Sequence, residues 1–126
     1  AHHPTEVRAA LTAARRVAGE DRVLVLFQPH LFSRTQAFAG EFAQALEIAD
    51  DAWVLPIYAA REDPVEGVSS DLIADAAGDS VRSAFDPQEA IAQIAAQARE
   101  GDLVLTVGAG DVTALAGQIV TGLQQR

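Results

Sequence analysis

Arg22-Val23-Leu24-Val25-Leu26-Phe27, followed by Gln28-Pro29, is the stretch whose reading decides the fold. It is an unbroken aliphatic and β-branched run, bounded by Gly19-Glu20-Asp21 before it. A strand with one wet face alternates apolar and polar residues; this one does not, so it is read as buried on both faces, as in a parallel sheet covered by helices. Leu103-Val104-Leu105-Thr106-Val107 repeats the pattern near the other end. Between and around these runs the apolar spacing becomes helical. Val7, Ala10, Leu11, Ala14 and Val17 recur at three and four residues over Thr5 to Ala18, with Glu6 in the first turn and Gly19 as the stop.

Working outward, a helix is expected over Thr35 to Leu46 with Phe38, Phe42 and Leu46 on one stripe, then a strand over Ala52 to Ile57. A loop with Pro56, Pro64 and Gly67 leads to a helix from about Ser70 to Ala77 and a weak strand over Ser80 to Ala84. Asp86-Pro87 reads as an N-cap with proline at the first helical position, opening a helix to Arg99, and a last helix runs through Leu123. Strands alternating with helices predict βαβ units, hence an α/β, three-layer, Rossmann-like domain: a mostly parallel sheet flanked by helices.

The chain has 126 residues, the size of one domain, so residues 1–126 are expected to share one core. Apolar residues at 49% and charged ones at 21% exclude general disorder. With no cysteine there is no disulfide framework, cysteine zinc site or thiol nucleophile, which agrees with a cytoplasmic location. A net charge of −9 repels phosphate backbones and anionic headgroups, so neither nucleic acid nor membrane is expected as a partner. All the basic residues are arginine, so the lysine of a GxxxxGK[ST] phosphate loop is not in this chain. A start at Ala1-His2-His3 and the lack of any methionine suggest a piece of a longer protein.

In a parallel α/β sheet, ligands bind outside the carboxyl ends of the strands. The loop after the first strand, Gln28-Pro29-His30-Leu31-Phe32-Ser33-Arg34-Thr35, places His30 and Arg34 four residues apart at the start of a helix. Arginine there can clamp a carboxylate or phosphate, with free helix N–H groups adding to the field; the alternative is a surface arginine beside a capping Ser or Thr. The loop Ala59-Ala60-Arg61-Glu62-Asp63-Pro64-Val65-Glu66-Gly67 offers carboxylates for an ammonium group or metal ion, or is a polar turn made by Pro64 and Gly67. In Gly108-Ala109-Gly110-Asp111 the glycines allow close backbone approach to a ligand, while Asp111 is equally an N-cap. His2 and His3 are adjacent, which suits metal ligation poorly, and a trimmed tag is the bland reading.

Taken in order, His2-His3-Pro4-Thr5-Glu6, then Phe27-Gln28-Pro29-His30-Leu31-Phe32-Ser33-Arg34-Thr35, Ala60-Arg61-Glu62-Asp63-Pro64 with Gly67, and Gly108-Ala109-Gly110-Asp111 resemble the C-terminal domain of the L-alanine-adding Mur ligases. The resemblance covers the whole chain and makes His2-His3 native sequence. It implies a three-domain, peptidoglycan-building ligase that uses ATP and Mg2+ to activate the UDP-N-acetylmuramate carboxylate as an acyl phosphate, which the amine of L-alanine attacks. It further implies that the N-terminal and central domains hold the UDP-sugar, the phosphate loop and the metal. This domain then completes the amino-acid and nucleotide sites and is inactive alone. By resemblance His2 or His3, His30, Arg34, Glu62, Gly110 and Asp111 line those sites, with Arg34 facing the alanine carboxylate or the developing charge. The family often carries an arginine directly after the loop histidine; Leu31 stands there instead, so Arg34 bears the charge alone.

Two other readings compete. A stand-alone Rossmann-like module binding a small anionic ligand or nucleotide is motivated by the glycine-ended strand, and a histidine-dependent metal hydrolase by His2, His3, His30 and the carboxylates of the second loop.

Overall fold

The computed structural model describes residues 3–108 and 112–125. Among them, α1 (Pro4–Ala18) precedes four strands, β1 (Val23–Gln28), β2 (Asp51–Val54), β3 (Val81–Ser83) and β4 (Leu103–Gly108). The helices α2 (Phe32–Leu46), α3 (Asp71–Ala76) and α4 (Pro87–Gln97) separate the strands, and α5 (Val112–Gln124) follows. Every pairing is parallel, in the order β3-β2-β1-β4, so the α/β sheet of the sequence reading is present.

β1 explains itself once the sheet is assembled. Its side chains alternate between two cores, Val23, Val25 and Phe27 packing with Val7, Leu11, Phe42 and Leu46 on one face. Leu24 and Leu26 pack with Trp53, Leu55, Ile94 and Ile119 on the other. Alternation is still there, but both destinations are dry, so the sequence shows none of it.

Element ends differ from the sequence reading for local reasons. β2 was expected to reach Ile57 but stops at Val54, because Pro56 has no N–H for the ladder. One further bond, from Leu55 N–H to the Phe27 carbonyl at 2.8 Å, precedes the break, and pairing resumes as an isolated bridge between His30 and Tyr58. α4 ends at Gln97 rather than Arg99, since Ala98 is extended (φ −64°, ψ 138°). α2 begins three residues before the expected Thr35, and its axis is interrupted at Phe38 (φ −124°, ψ 19°).

The strand order also places the site. Moving from β1 through β2 to β3 runs in one direction, whereas β4 lies on the opposite side of β1. The order reverses at β1, so the crevice outside the carboxyl ends of β1 and β4 is where this architecture binds ligands.

Candidate functional site

Among the described residues, the carboxyl edge beside this crevice is formed by the loops after β1 and β2. The chain leaves β1 at Gln28 and is tied to the second loop by Tyr58 N–H donating to the Pro29 carbonyl (2.8 Å) and Leu31 N–H donating to the Tyr58 carbonyl (2.9 Å). The rings of His30 and Tyr58 stack, 6.0 Å apart and 21° from parallel. Tyr58, which the sequence reading passed over, thus sets the face of His30. Its signal was only that it is the sole tyrosine in the chain.

Arg34 lies on the first turn of α2, and its Nη1 stands 3.4 Å from Nδ1 of His30. A guanidinium has no acceptor, so in this contact Arg34 is the donor and Nδ1 of His30 the acceptor. The structure therefore brings together the two residues on which the first loop's reading depends.

Leu31 holds φ 71° and ψ 135°, and Ala60 in the second loop holds φ 55°. Among the described residues these are the non-glycine positions with positive φ, and both sit in the two rim loops. Such geometry costs about 1–3 kcal/mol each and persists only where the surroundings impose it. At Leu31 the surroundings are the Tyr58 carbonyl and the Thr35 N–H and hydroxyl, which both donate to the Leu31 carbonyl, at 3.1 and 2.9 Å.

Glu62 corrects one expectation. Free N–H groups were expected at the start of α2, and its N-cap, Leu31, supplies no side-chain acceptor. Yet Glu62 reaches across from the second loop: Oε1 accepts from Ser33 N–H at 3.1 Å, and Oε2 accepts from the Ser33 hydroxyl. The Ser33 hydroxyl lowers the Glu62 pKa most; desolvation opposes it, and the Ser33 and Phe32 N–H groups and nearby His30 lower it further. Hence the one carboxylate of this loop that stands beside α2 is engaged by the helix, and the alternative of an ammonium- or metal-binding carboxylate gives way to the polar turn. No three His, Asp or Glu side chains converge as a metal-holding group among the described residues. The rest of that loop fits the polar-turn reading, with Gly67 at φ 78° and Val68 N–H donating to the Val65 carbonyl at 3.0 Å.

His3 is the N-cap of α1. Its Nδ1 accepts from Thr5 N–H at 3.1 Å, while Glu6 Oε1 accepts from His3 N–H at 3.2 Å, a reciprocal capping box. Its ring lies 5.1 Å from that of Phe38, one helical turn beyond Arg34 on α2. His3 is therefore near the helix that bears Arg34 but already has a structural duty. His2, Gly110 and Asp111 lie outside the described residues.

Gly108 departs from the expectation that its freedom serves a ligand. It pairs with Gln28, and a Cβ placed on it would sit 2.2 Å from the Gln28 carbonyl oxygen. The close approach is between β4 and β1 at the floor of the crevice. Beside the rim, between the carboxyl ends of β2 and β3, an apolar cleft of about 170 Å³ is lined by Phe32, Pro56, Ile57, Val68 and Phe85 among others. Sequence reasoning did not find it, since its walls come from four separate segments.

Comparison with known proteins follows the same outline. The family model described as "Mur ligase, glutamate ligase domain" matches residues 1–110. The UDP-N-acetylmuramate–L-alanine ligase of Paenarthrobacter aurescens is 62% identical over 123 residues, which is 98% of this chain and 26% of that protein. Among solved structures, a UDP-N-acetylmuramate–alanine ligase from Thermotoga maritima is 26% identical with a TM-score of 0.71, covering 99% of this chain and 25% of that one. A single domain of a Haemophilus ducreyi protein assigned as a UDP-N-acetylmuramate:L-alanyl-γ-D-glutamyl-meso-diaminopimelate ligase shares the fold at 24% identity and a TM-score of 0.72, with 98% of this chain and 85% of that one covered. The chain spans about a quarter of the length of the full-length relative it matches. Fold, ordered rim motifs and family model agree, and the chain belongs to the Mur ligase family as its glutamate ligase domain.

Proposed function

We propose that this chain is the C-terminal domain of a cytoplasmic, ATP-dependent ligase that adds L-alanine to UDP-N-acetylmuramate in peptidoglycan synthesis. The observation that carries this reading is the His30–Arg34 pair, His30 in the loop after β1 and Arg34 on the first turn of α2, at the crevice where the strand order reverses. It is supported by 62% identity to a relative that bears that name.

In this reading the planar fork of Arg34 holds the alanine carboxylate through paired N–H donors. His30, stacked on Tyr58, keeps that fork turned toward the rim. The amine is thereby aimed at the muramyl carbonyl presented by the other domains, and orientation of this kind is a large part of what a positioning half-site can contribute. His2 or His3, Glu62, Gly110 and Asp111 are proposed to serve the same amino-acid and nucleotide sites.

ATP supplies the phosphoryl group that activates the muramyl carboxylate as an acyl phosphate. The chain has no lysine for a phosphate loop and no metal-holding group among its described residues, so ATP and Mg2+ are assigned mainly to the ligase's other domains.

Arg34→Ala in the ligase that carries this domain is expected to lower kcat/KM for alanine by at least about tenfold, since a charge-assisted bond contributes roughly 1.5–3 kcal/mol. Steady-state kinetics within twofold of the parent overturn the role of Arg34. Tight nucleotide binding by the 126-residue chain alone would instead favour a stand-alone binding module.

A further inference from the structure

We propose that Glu62 is a positioning residue: by capping α2 from the neighbouring loop through Ser33, it fixes the first turn of α2, which carries Arg34 and sets its place against His30. This rests on the ligase reading above and deepens it, assigning to a residue outside α2 the control of how the amino acid is seated.

Three features of the two loops carry it. First, α2 has no cap of its own, because Leu31 occupies the N-cap with an apolar side chain and φ 71°. A helix start leaves backbone N–H groups without intrahelical partners, and one of them, on Ser33, is taken by Glu62 Oε1 at 3.1 Å. Second, Glu62 binds Ser33 twice, at the N–H and at the hydroxyl. Two contacts from one planar carboxylate fix the direction of the helix start as well as its distance. Ser33 immediately precedes Arg34, so any rotation there is passed directly to the guanidinium.

Third, the two loops are cross-braced at both ends. The Pro29–Tyr58 and Leu31–Tyr58 bonds close one end and Glu62–Ser33 the other, with the strained Leu31 and Ala60 between them. Strained backbone holds its geometry only while the surroundings over-determine it. Removing Glu62 frees one end of this frame.

The test compares Glu62→Gln, Glu62→Ala and Ser33→Ala. Glutamine keeps an oxygen for the Ser33 N–H; alanine keeps nothing; Ser33→Ala removes the hydroxyl contact alone. In the ligase carrying this domain, Glu62→Ala is expected to raise KM for alanine at least fivefold. Under the same conditions kcat changes less than threefold and KM for ATP and UDP-N-acetylmuramate stays within twofold. Glu62→Gln recovers most of the loss, and Ser33→Ala falls between.

A second measurement does not depend on ligase activity. The related Haemophilus ducreyi domain was solved as a domain by itself, so the 126-residue chain is a fair object for NMR. The Phe32, Ser33 and Arg34 amides and the Arg34 Nε–H are expected to shift in Glu62→Ala, while amides of β1 and α4 stay in place. Unmoved Arg34 signals in a folded Glu62→Ala variant overturn the positioning role, as does a loss in KM that glutamine fails to recover. A parent enzyme without alanine-adding activity overturns the ligase reading instead, and the NMR result still decides the positioning claim.

Discussion

At the scale of single residues, the rim is set as much by what a side chain would obstruct as by what it offers. Gly108 sits at φ 125°, where side chains are strained, and its missing Cβ is replaced by the backbone of Gln28. The neighbour is main chain in the central strand of the sheet, so it cannot swing aside. Gly108→Ala is therefore expected to destabilise the domain by about 3 kcal/mol or more, combining overpacking with an unfavourable φ. Urea denaturation measures this as a lower midpoint, and a midpoint unchanged from the parent would mean that β1 and β4 are not in the contact described. Gly67, by contrast, has open space where its Cβ would be, so its φ of 78° is what restricts substitution there.

Elements whose ends are determined within themselves were legible; those whose ends are determined from elsewhere were not. The Asp86-Pro87 start of α4 was readable because the cap is local, Asp86 Oδ1 accepting from Gln88 N–H at 2.9 Å. The start of α2 was misplaced because its cap, Glu62, stands 29 positions after Ser33 in the chain. Likewise the halves of the candidate site came from sequence, His30 and Arg34 being four apart, but Tyr58 stacking on His30 needed the fold. The cap at α1 was missed for another reason: histidine is not among the usual N-cap residues, although Glu6 three positions on was noted. Its capping role predicts that His3→Asn, which keeps an acceptor, holds stability within about 0.5 kcal/mol, whereas His3→Ala loses about 1 kcal/mol. Thermal or urea unfolding of the two variants checks this, and equal losses would show that the Nδ1 contact does not hold the helix.

Across the whole molecule, ion pairs brace the amino edge of the sheet, opposite the candidate site. At the amino ends of the strands, Arg15 bonds Asp50 at 2.7 Å, and Arg22 bonds Asp102 at 2.7 Å and the Gln97 carbonyl at 2.7 Å. These contacts join α1 to the start of β2, and β1 to the start of β4. Arg34 stands with His30 at the opposite, carboxyl edge. Desolvation pushes the Asp102 carboxyl up, yet the Arg22 guanidinium and the Arg99 N–H outweigh it and hold its pKa below the usual aspartate value. For Asp50, desolvation is likewise outweighed, by the Val23 N–H and Arg15. A carboxyl whose pKa is lower folded than unfolded stabilises the fold at pH above the unfolded value, 3.8 here, and that stabilisation fades as pH falls through the folded value. Arg22 is shifted the other way, upward through its bond to Asp102, so its own titration lies in alkali and in acid the pair is lost only as Asp102 takes up its proton. Stability is therefore expected to be flat near neutrality and to fall progressively below about pH 5. Asp102, with its side chain only 6% exposed, should dominate over the more open Asp50. Asp102→Asn is expected to cost about 1–3 kcal/mol at pH 7 and to flatten the acid slope, because the variant has no proton to take up there. Urea midpoints measured from pH 7 down to pH 3 decide it: an acid slope as steep in Asp102→Asn as in the parent would place the proton-linked stability elsewhere than at the amino edge of the sheet.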